Sequence, residues 1–143
     1  SINGFANADG LRGWLVKMVA EVGEYVRLHE KKETTISRIL EYTERNYSTN
    51  LTLTDIADRF HMNPVYLCQL FKKKTGVTFI TYINRLRIEK AKSLLLTTDF
   101  TAEQVSEQVG IRNNNYFFRL FKKMTGLTIS QFRKGKEGRE REP

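Results

Sequence analysis

One nonapeptide occurs twice in this chain. Leu70-Phe71-Lys72-Lys73-Lys74-Thr75-Gly76-Val77-Thr78 returns fifty residues later as Leu120-Phe121-Lys122-Lys123-Met124-Thr125-Gly126-Leu127-Thr128, with seven of the nine positions identical. A repeat of this kind constrains the fold strongly, because each copy has to end the same local structure in the same way. Each copy follows a stretch that reads as two short helices broken by a turn. The repeated unit is therefore expected to be a helix-turn-helix whose second helix ends in lysines.

The capping signals divide the chain further. Thr52 and Asp55 resemble a shortened capping box ahead of Leu53, Ile56, Ala57 and Phe60, and Thr101-Ala102-Glu103-Gln104 is a full one ahead of Val105, Val109 and Ile111. Asn63-Pro64 opens a helix, because Asn caps well and Pro loses nothing at the first helical position. Leu67, Leu70 and Phe71 form its core face, and Gly76 suits a left-handed C-terminal cap. Asn113 to Asn115 open the corresponding helix of the second unit, which Gly126 ends. Between the units, Phe79, Ile80, Tyr82, Ile83, Leu86, Ala91, Leu94 and Leu95 predict one long helix of roughly 18 residues, about 27 Å at 1.5 Å per residue.

Upstream, Leu11, Trp14, Leu15, Met18, Val19, Val22, Tyr25 and Val26 recur at helical steps. Their stripe needs a cover: the downstream domain, a copy of itself, or a preceding domain. Glu30 to Thr35 reads as a polar boundary, with Thr35 capping a new helix that carries Ile36, Ile39, Leu40 and Thr43 inward. The expectation is an all-α fold with two helix-turn-helix units (52–76 and 101–126) joined by a linker helix (79–97). An extra amphipathic N-terminal helix within residues 1–35 precedes the domain at 36–134. A short helix from Ser130 to Lys134 closes it, and residues 135–143 read as a disordered tail.

Charge follows the same division. The net charge is +8, yet residues 1–35 carry five Lys/Arg against five Asp/Glu, and residues 135–143 three against three. The excess lies between Ile36 and Lys134, sixteen against eight, the footprint of a domain that binds a polyanion. Cys68 is the only cysteine, and His29 and His61 are the only histidines. No disulfide framework, metal-ligand set or cofactor motif is present in the sequence. An intracellular, cytoplasmic setting is the expectation, with no membrane-spanning run. The chain opens on Ser1, which hints at processing or excision. No nucleophile–base set or Gly-rich phosphate loop supports an enzyme.

The pattern resembles the DNA-binding domain of the AraC/XylS family of bacterial transcription regulators. The resemblance rests on Ile56-Ala57, Tyr66-Leu67, Leu70 to Lys73 and Thr75-Gly76 in the first unit, and on Arg87, Ala91 and Leu94-Leu95 in the linker. In the second unit it rests on Val109-Gly110, Tyr116-Phe117, Arg119, Phe121 to Lys123, Gly126 and Phe132-Arg133. Four positions depart from the family pattern: Ser106 for Ala, Ile111 for an aromatic, Phe118 for a small polar residue and Ile129 for Pro. The resemblance implies seven helices, promoter DNA and RNA polymerase as partners, and activation of transcription. The residues before the domain resemble regulators with an N-terminal two-component receiver, which implies phosphorylation control from upstream. A homodimer through such an upstream domain or through residues 11–32 is a further expectation.

In this family pattern the base-facing positions are Val65, Cys68 and Gln69 in the first unit and Asn114, Asn115, Phe118 and Arg119 in the second. Gln69 and Asn115 suit adenine, Arg119 suits guanine, and Val65 suits a thymine methyl. Lys72, Lys73, Lys122 and Lys123 would meet phosphates, as would the helix N-termini at Thr52 and Thr101. Because the two recognition helices differ in sequence, the site should be asymmetric. Phe71, Phe117 and Phe121 read as core, and Phe118 falls on the outward face. A competing reading is a protein-interaction module with the Leu11 to Lys32 helix as a dimer seam and a basic surface docking an acidic partner.

Overall fold

Local hydrogen bonds fix where most helices begin and end. In a computed structural model, described for the backbone of residues 8–141 and the side chains of 10–28, 30 and 34–135, seven helices and no strand occur among the described residues. They are α1 (Ala8–Asn46), α2 (Leu53–Arg59), α3 (Pro64–Thr75), α4 (Phe79–Thr97), α5 (Ala102–Gln108), α6 (Asn114–Thr125) and α7 (Ile129–Arg141).

Thr52 and Thr101 open α2 and α5 with complete capping boxes. Each hydroxyl oxygen accepts the backbone N–H three residues on, at 3.1 Å in both. Each threonine N–H in turn donates to the side chain there, Asp55 at 3.0 Å and Gln104 at 2.9 Å. The α3 cap is Asn63, whose Oδ1 accepts from Val65 and Tyr66, and the α6 cap is Asn113, accepting from Tyr116. Both helices end on a left-handed glycine, Gly76 at φ 81° and Gly126 at φ 78°. Such caps are each worth about 1 kcal/mol and lie within four residues of what they cap, so they are legible in sequence.

The chain divides between Ile39 and Leu40 into two units. This corrects the boundary expected at residue 35: Thr35 starts no helix, and α1 runs unbroken as 39 residues. The Glu30-Lys31-Lys32-Glu33 run is polar, but each of its residues is a good helix former and no Gly or Pro interrupts it. The tail is corrected as well, since α7 continues to Arg141. Residues 142 and 143 lie outside the described residues.

The linker helix α4 serves two cores. Phe79 and Ile83 are buried near its start, and Phe71 packs edge-on against Phe79 and Tyr82 at centroid distances of 5.6 and 5.4 Å. Ile88, Ala91 and Leu95 are buried further along, in a cluster with Val105, Val109, Ile111, Phe117 and Phe121. At 100° per residue these two buried faces lie about 130° apart around the helix. The apolar residues of α4 therefore do not share one face, and Ile80 is 68% exposed. Arg87 sits between the two cores. Its Nε donates to the Tyr47 carbonyl at 2.8 Å and its Nη2 to that of Thr49 at 2.9 Å. These bonds satisfy carbonyls just beyond the C-terminus of α1. Burial pulls the Arg87 guanidinium below its ordinary pKa, partly opposed by Tyr116.

Candidate nucleic-acid interface

Each recognition helix buries one side and presents the other. In α3, Leu67, Leu70 and Phe71 are buried while Val65, Cys68, Gln69, Lys72 and Lys73 are exposed. In α6, Phe117, Leu120 and Phe121 are buried while Asn114, Asn115, Arg119, Lys122 and Lys123 are exposed. On a helical wheel Val65, Gln69 and Lys72, and likewise Asn115, Arg119 and Lys122, lie nearly opposite the buried residues. These are the side chains that a helix lying in a major groove would point at base edges and phosphates.

Phe118 stands apart from the other expected base-facing residues. It is half-buried, its ring 6.0 Å from that of Phe117, and it packs against the second core. On the wheel it flanks the outward face instead of crowning it, about 70° from its centre. Its substitution for a small polar residue extends the core outward.

The helix N-termini offer less to a phosphate than expected. The N–H groups of Thr52 and Thr101 are already taken by Asp55 and Gln104. At α2 the occupant is a carboxylate, and the hydrogen bonds from the Thr52 hydroxyl and N–H hold it below the usual carboxylate range. An ionised group there repels a phosphate, whereas the amide of Gln104 does not.

Three contacts escaped the sequence reading. Asn84, buried on α4, donates from Nδ2 to the Tyr116 hydroxyl at 3.2 Å, tying the linker to the second recognition helix. Fully buried Ser106 donates its hydroxyl to the Ile111 carbonyl, and the Ile111 N–H returns a bond to the Ser106 carbonyl at 2.9 Å. The Ser106 departure from the family pattern thus adds one buried hydrogen bond, to the Ile111 backbone. Gly110, at φ 87°, lies so close to the α1–α2 turn that a Cβ there would sit 2.7 Å from the Ser48 carbonyl oxygen. No residue periodicity announces these contacts: Asn84 and Tyr116 stand 32 residues apart, Gly110 meets the backbone of the distant Ser48, and Ser106 reaches a backbone carbonyl across the turn.

A model of the helix-turn-helix domain family matches residues 56–135. The chain belongs to the AraC-type helix-turn-helix family. Among relatives of this AraC-type chain, the bifunctional transcriptional activator/DNA repair enzyme AdaA of Bacillus subtilis strain 168 is 39% identical over 98 residues, 68% of this chain and 46% of AdaA. The uncharacterized transcriptional regulatory protein YesN of the same organism is 42% identical over 92 residues, 62% of this chain and 25% of YesN. The chain spans less than half the length of these curated relatives.

Solved structures agree with the AraC-type fold. The C-terminal domain of AraT, a response regulator from Geobacillus stearothermophilus, is 33% identical with a TM-score of 0.69, over 71% of this chain and 84% of that one. The DNA-binding domain of AdpA, solved with a target DNA, shares the fold at a TM-score of 0.71 and 18% identity, over 76% of this chain and 97% of that one. Domains of this family serve DNA-binding transcription regulation. Among the described residues, no helix is long and apolar enough to cross a membrane.

Proposed function

We propose that this AraC-type chain binds double-stranded promoter DNA sequence-specifically, laying α3 and α6 in successive major grooves on one face of the duplex. The observation that carries this reading is the pair of matched helices, each capped by an asparagine, ended by a left-handed glycine and finished with exposed lysines. The 19-residue α4 is about 28 Å long, on the scale of the roughly 34 Å between successive major grooves. Val65, Cys68 and Gln69 read one block, and Asn114, Asn115 and Arg119 the other, so the two blocks differ in sequence. Lys72, Lys73, Lys122 and Lys123 supply salt-dependent, sequence-independent affinity.

Activation of transcription, contact with RNA polymerase and a cytoplasmic location complete the proposal, all three supported by family membership. The basic surface as a dock for an acidic protein is the weaker reading, because protein docking does not call for two recognition helices with the same caps. Selection of bound duplexes from a random pool at low and moderate salt tests the proposal. The expected result is an asymmetric motif of two blocks about one helical turn apart, with affinity falling against log salt at a slope of roughly −5 to −9 for 6–10 phosphates. A single enriched block would confine base reading to one unit. No enrichment with a flat salt dependence would sink the proposal.

A further inference from the structure

Tyr66 of α3 and Tyr116 of α6 occupy the same place in the repeat, each four residues before the shared Leu-Phe-Lys-Lys, and they are 43% and 41% exposed. Their hydroxyls differ in what they meet. That of Tyr116 accepts a hydrogen bond from Asn84 Nδ2 on α4 at 3.2 Å, whereas that of Tyr66 has no hydrogen-bond partner among the described residues. Asn84 is 8% exposed, and a buried amide is tolerated only when it is hydrogen-bonded. An apolar residue at this place on the linker would carry no such condition. What the amide adds is direction.

Direction is what base reading by the second unit needs. Phe117, Leu120 and Phe121 hold one side of α6 through apolar contacts, which are non-directional. Tyr116 lies on the flank of the helix, about 90° from the centre of the outward face and on the side away from Phe118. A directional bond on that flank resists rotation of α6 about its own axis. Tyr116 directly follows Asn115 and precedes Arg119 by three residues, so such a rotation would carry both base-facing side chains across the base edges. At a radius of about 6 Å, a turn of about 10° displaces a side-chain tip by about 1 Å, twice the tolerance of about 0.5 Å for a binding constellation.

We propose, on the reading of α6 as a helix laid in a major groove, that Asn84 is a positioning residue. Through the Tyr116 hydroxyl it fixes the rotation of α6 and sets the base preference of Asn115 and Arg119 without itself touching DNA. Tyr66, whose hydroxyl is not tied to the linker, is the internal control.

The test is the binding profile of the full chain across single-base variants of the site selected by the parent, measured for Tyr116→Phe, Asn84→Leu, the double variant and Tyr66→Phe. Tyr116→Phe keeps the ring and removes only the bonded oxygen, and urea unfolding reports whether each variant keeps its stability. Tyr116→Phe and Asn84→Leu should each lower discrimination within the second block about three- to tenfold, the worth of one hydrogen bond, while the first-block profile stays that of the parent. The double variant should lose no more than either single one, because both remove the same bond. Tyr66→Phe should leave both blocks unchanged. A bond that only stabilises the fold would lower the urea midpoint and weaken all sites alike with the second-block ratios kept, and that result overturns the proposal. So does a loss for Tyr116→Phe that Asn84→Leu does not share, which would make the hydroxyl a direct DNA contact. Failure of the DNA reading shows in the parent itself, which would then have no base preference, and it removes the positioning role as well. Failure of the positioning role alone leaves both blocks intact in the parent and the second-block ratios of the variants equal to them.

Discussion

The two helix-turn-helix units do the same structural job by different means. In the first, only His61 and Met62 separate the α2 C-cap Phe60 from the α3 cap Asn63; in the second, Gly110, Ile111 and Arg112 separate Val109 from Asn113. Both turns are closed by a backbone bond, Met62 N–H to the Ala57 carbonyl at 2.8 Å and Ile111 N–H to the Ser106 carbonyl at 2.9 Å. Both place one residue in the left-handed region, His61 at φ 55° and Gly110 at φ 87°. The first unit makes this turn with local bonds and accepts a side chain in a disfavoured conformation. The second uses a glycine where the Ser48 backbone leaves no room for a Cβ, and adds the Ser106 hydroxyl bond. The longer turn thus differs from the shorter in a glycine set against the Ser48 backbone and a side-chain bond across the turn.

The largest expected effect tests this asymmetry directly. Gly110→Ala should cost about 3 kcal/mol or more in urea unfolding, because the left-handed conformation and the backbone contact penalise the methyl together. His61→Gly, at the matching place, should change stability by less than about 1 kcal/mol and in the stabilising direction. If both variants unfolded like the parent, the turns would not differ in the way described.

The next effect concerns what each helix reads. Gln69→Ala and Arg119→Ala should each relax preference at one base position by about 1–3 kcal/mol, in different blocks of the site. Binding profiles across single-base site variants check this; a uniform loss across all sites would remove the base-reading role of the residue concerned. Ser106→Ala should lower stability by about 1 kcal/mol, since it removes one hydrogen bond and leaves a buried carbonyl with one partner fewer. The comparison predicts no like cost at Ala57, which has no hydroxyl to lose.

Lysine substitutions should treat the units alike. Lys73→Ala and Lys123→Ala are each expected to lower the salt slope by about one while weakening all sequences together. Unequal slope changes would mean that one unit holds the backbone more than the other. The smallest effect is at the helix caps. The Asp55 carboxyl titrates below its ordinary value in the folded chain, so its contribution is present at neutral pH, above the unfolded pKa, and is lost as pH falls through the folded pKa. Asp55→Asn should therefore flatten the loss of stability below about pH 4, and Gln104→Ala should leave that acid limb unchanged. Matching acid limbs for Asp55→Asn and the parent would remove the charge difference drawn between the two caps.

Much of the scaffold was legible in the sequence because its determinants act over four residues or fewer. Asn63-Pro64, the Thr101–Gln104 box and the glycines at 76 and 126 state helix ends in terms of hydrogen bonds that the same short segment makes. The outward sets Val65, Gln69, Lys72 and Asn115, Arg119, Lys122 follow from that framing, since helix phase is fixed once the ends and the buried residues are known. Tertiary structure alone decided the rest. It turned α4 between two cores, leaving Ile80 outside and Asn84 inside on Tyr116, thirty-two residues away. It drew Phe118 half into the second core, set Ser48 against Gly110, and gave Arg87 the carbonyls of Tyr47 and Thr49. The unbroken length of α1 lay between these cases, where helix propensity outweighs the polarity that reads as linker. The division has one physical reason: a cap or a wheel position is settled by neighbours along the chain, whereas burial is settled by whichever distant segment arrives beside it.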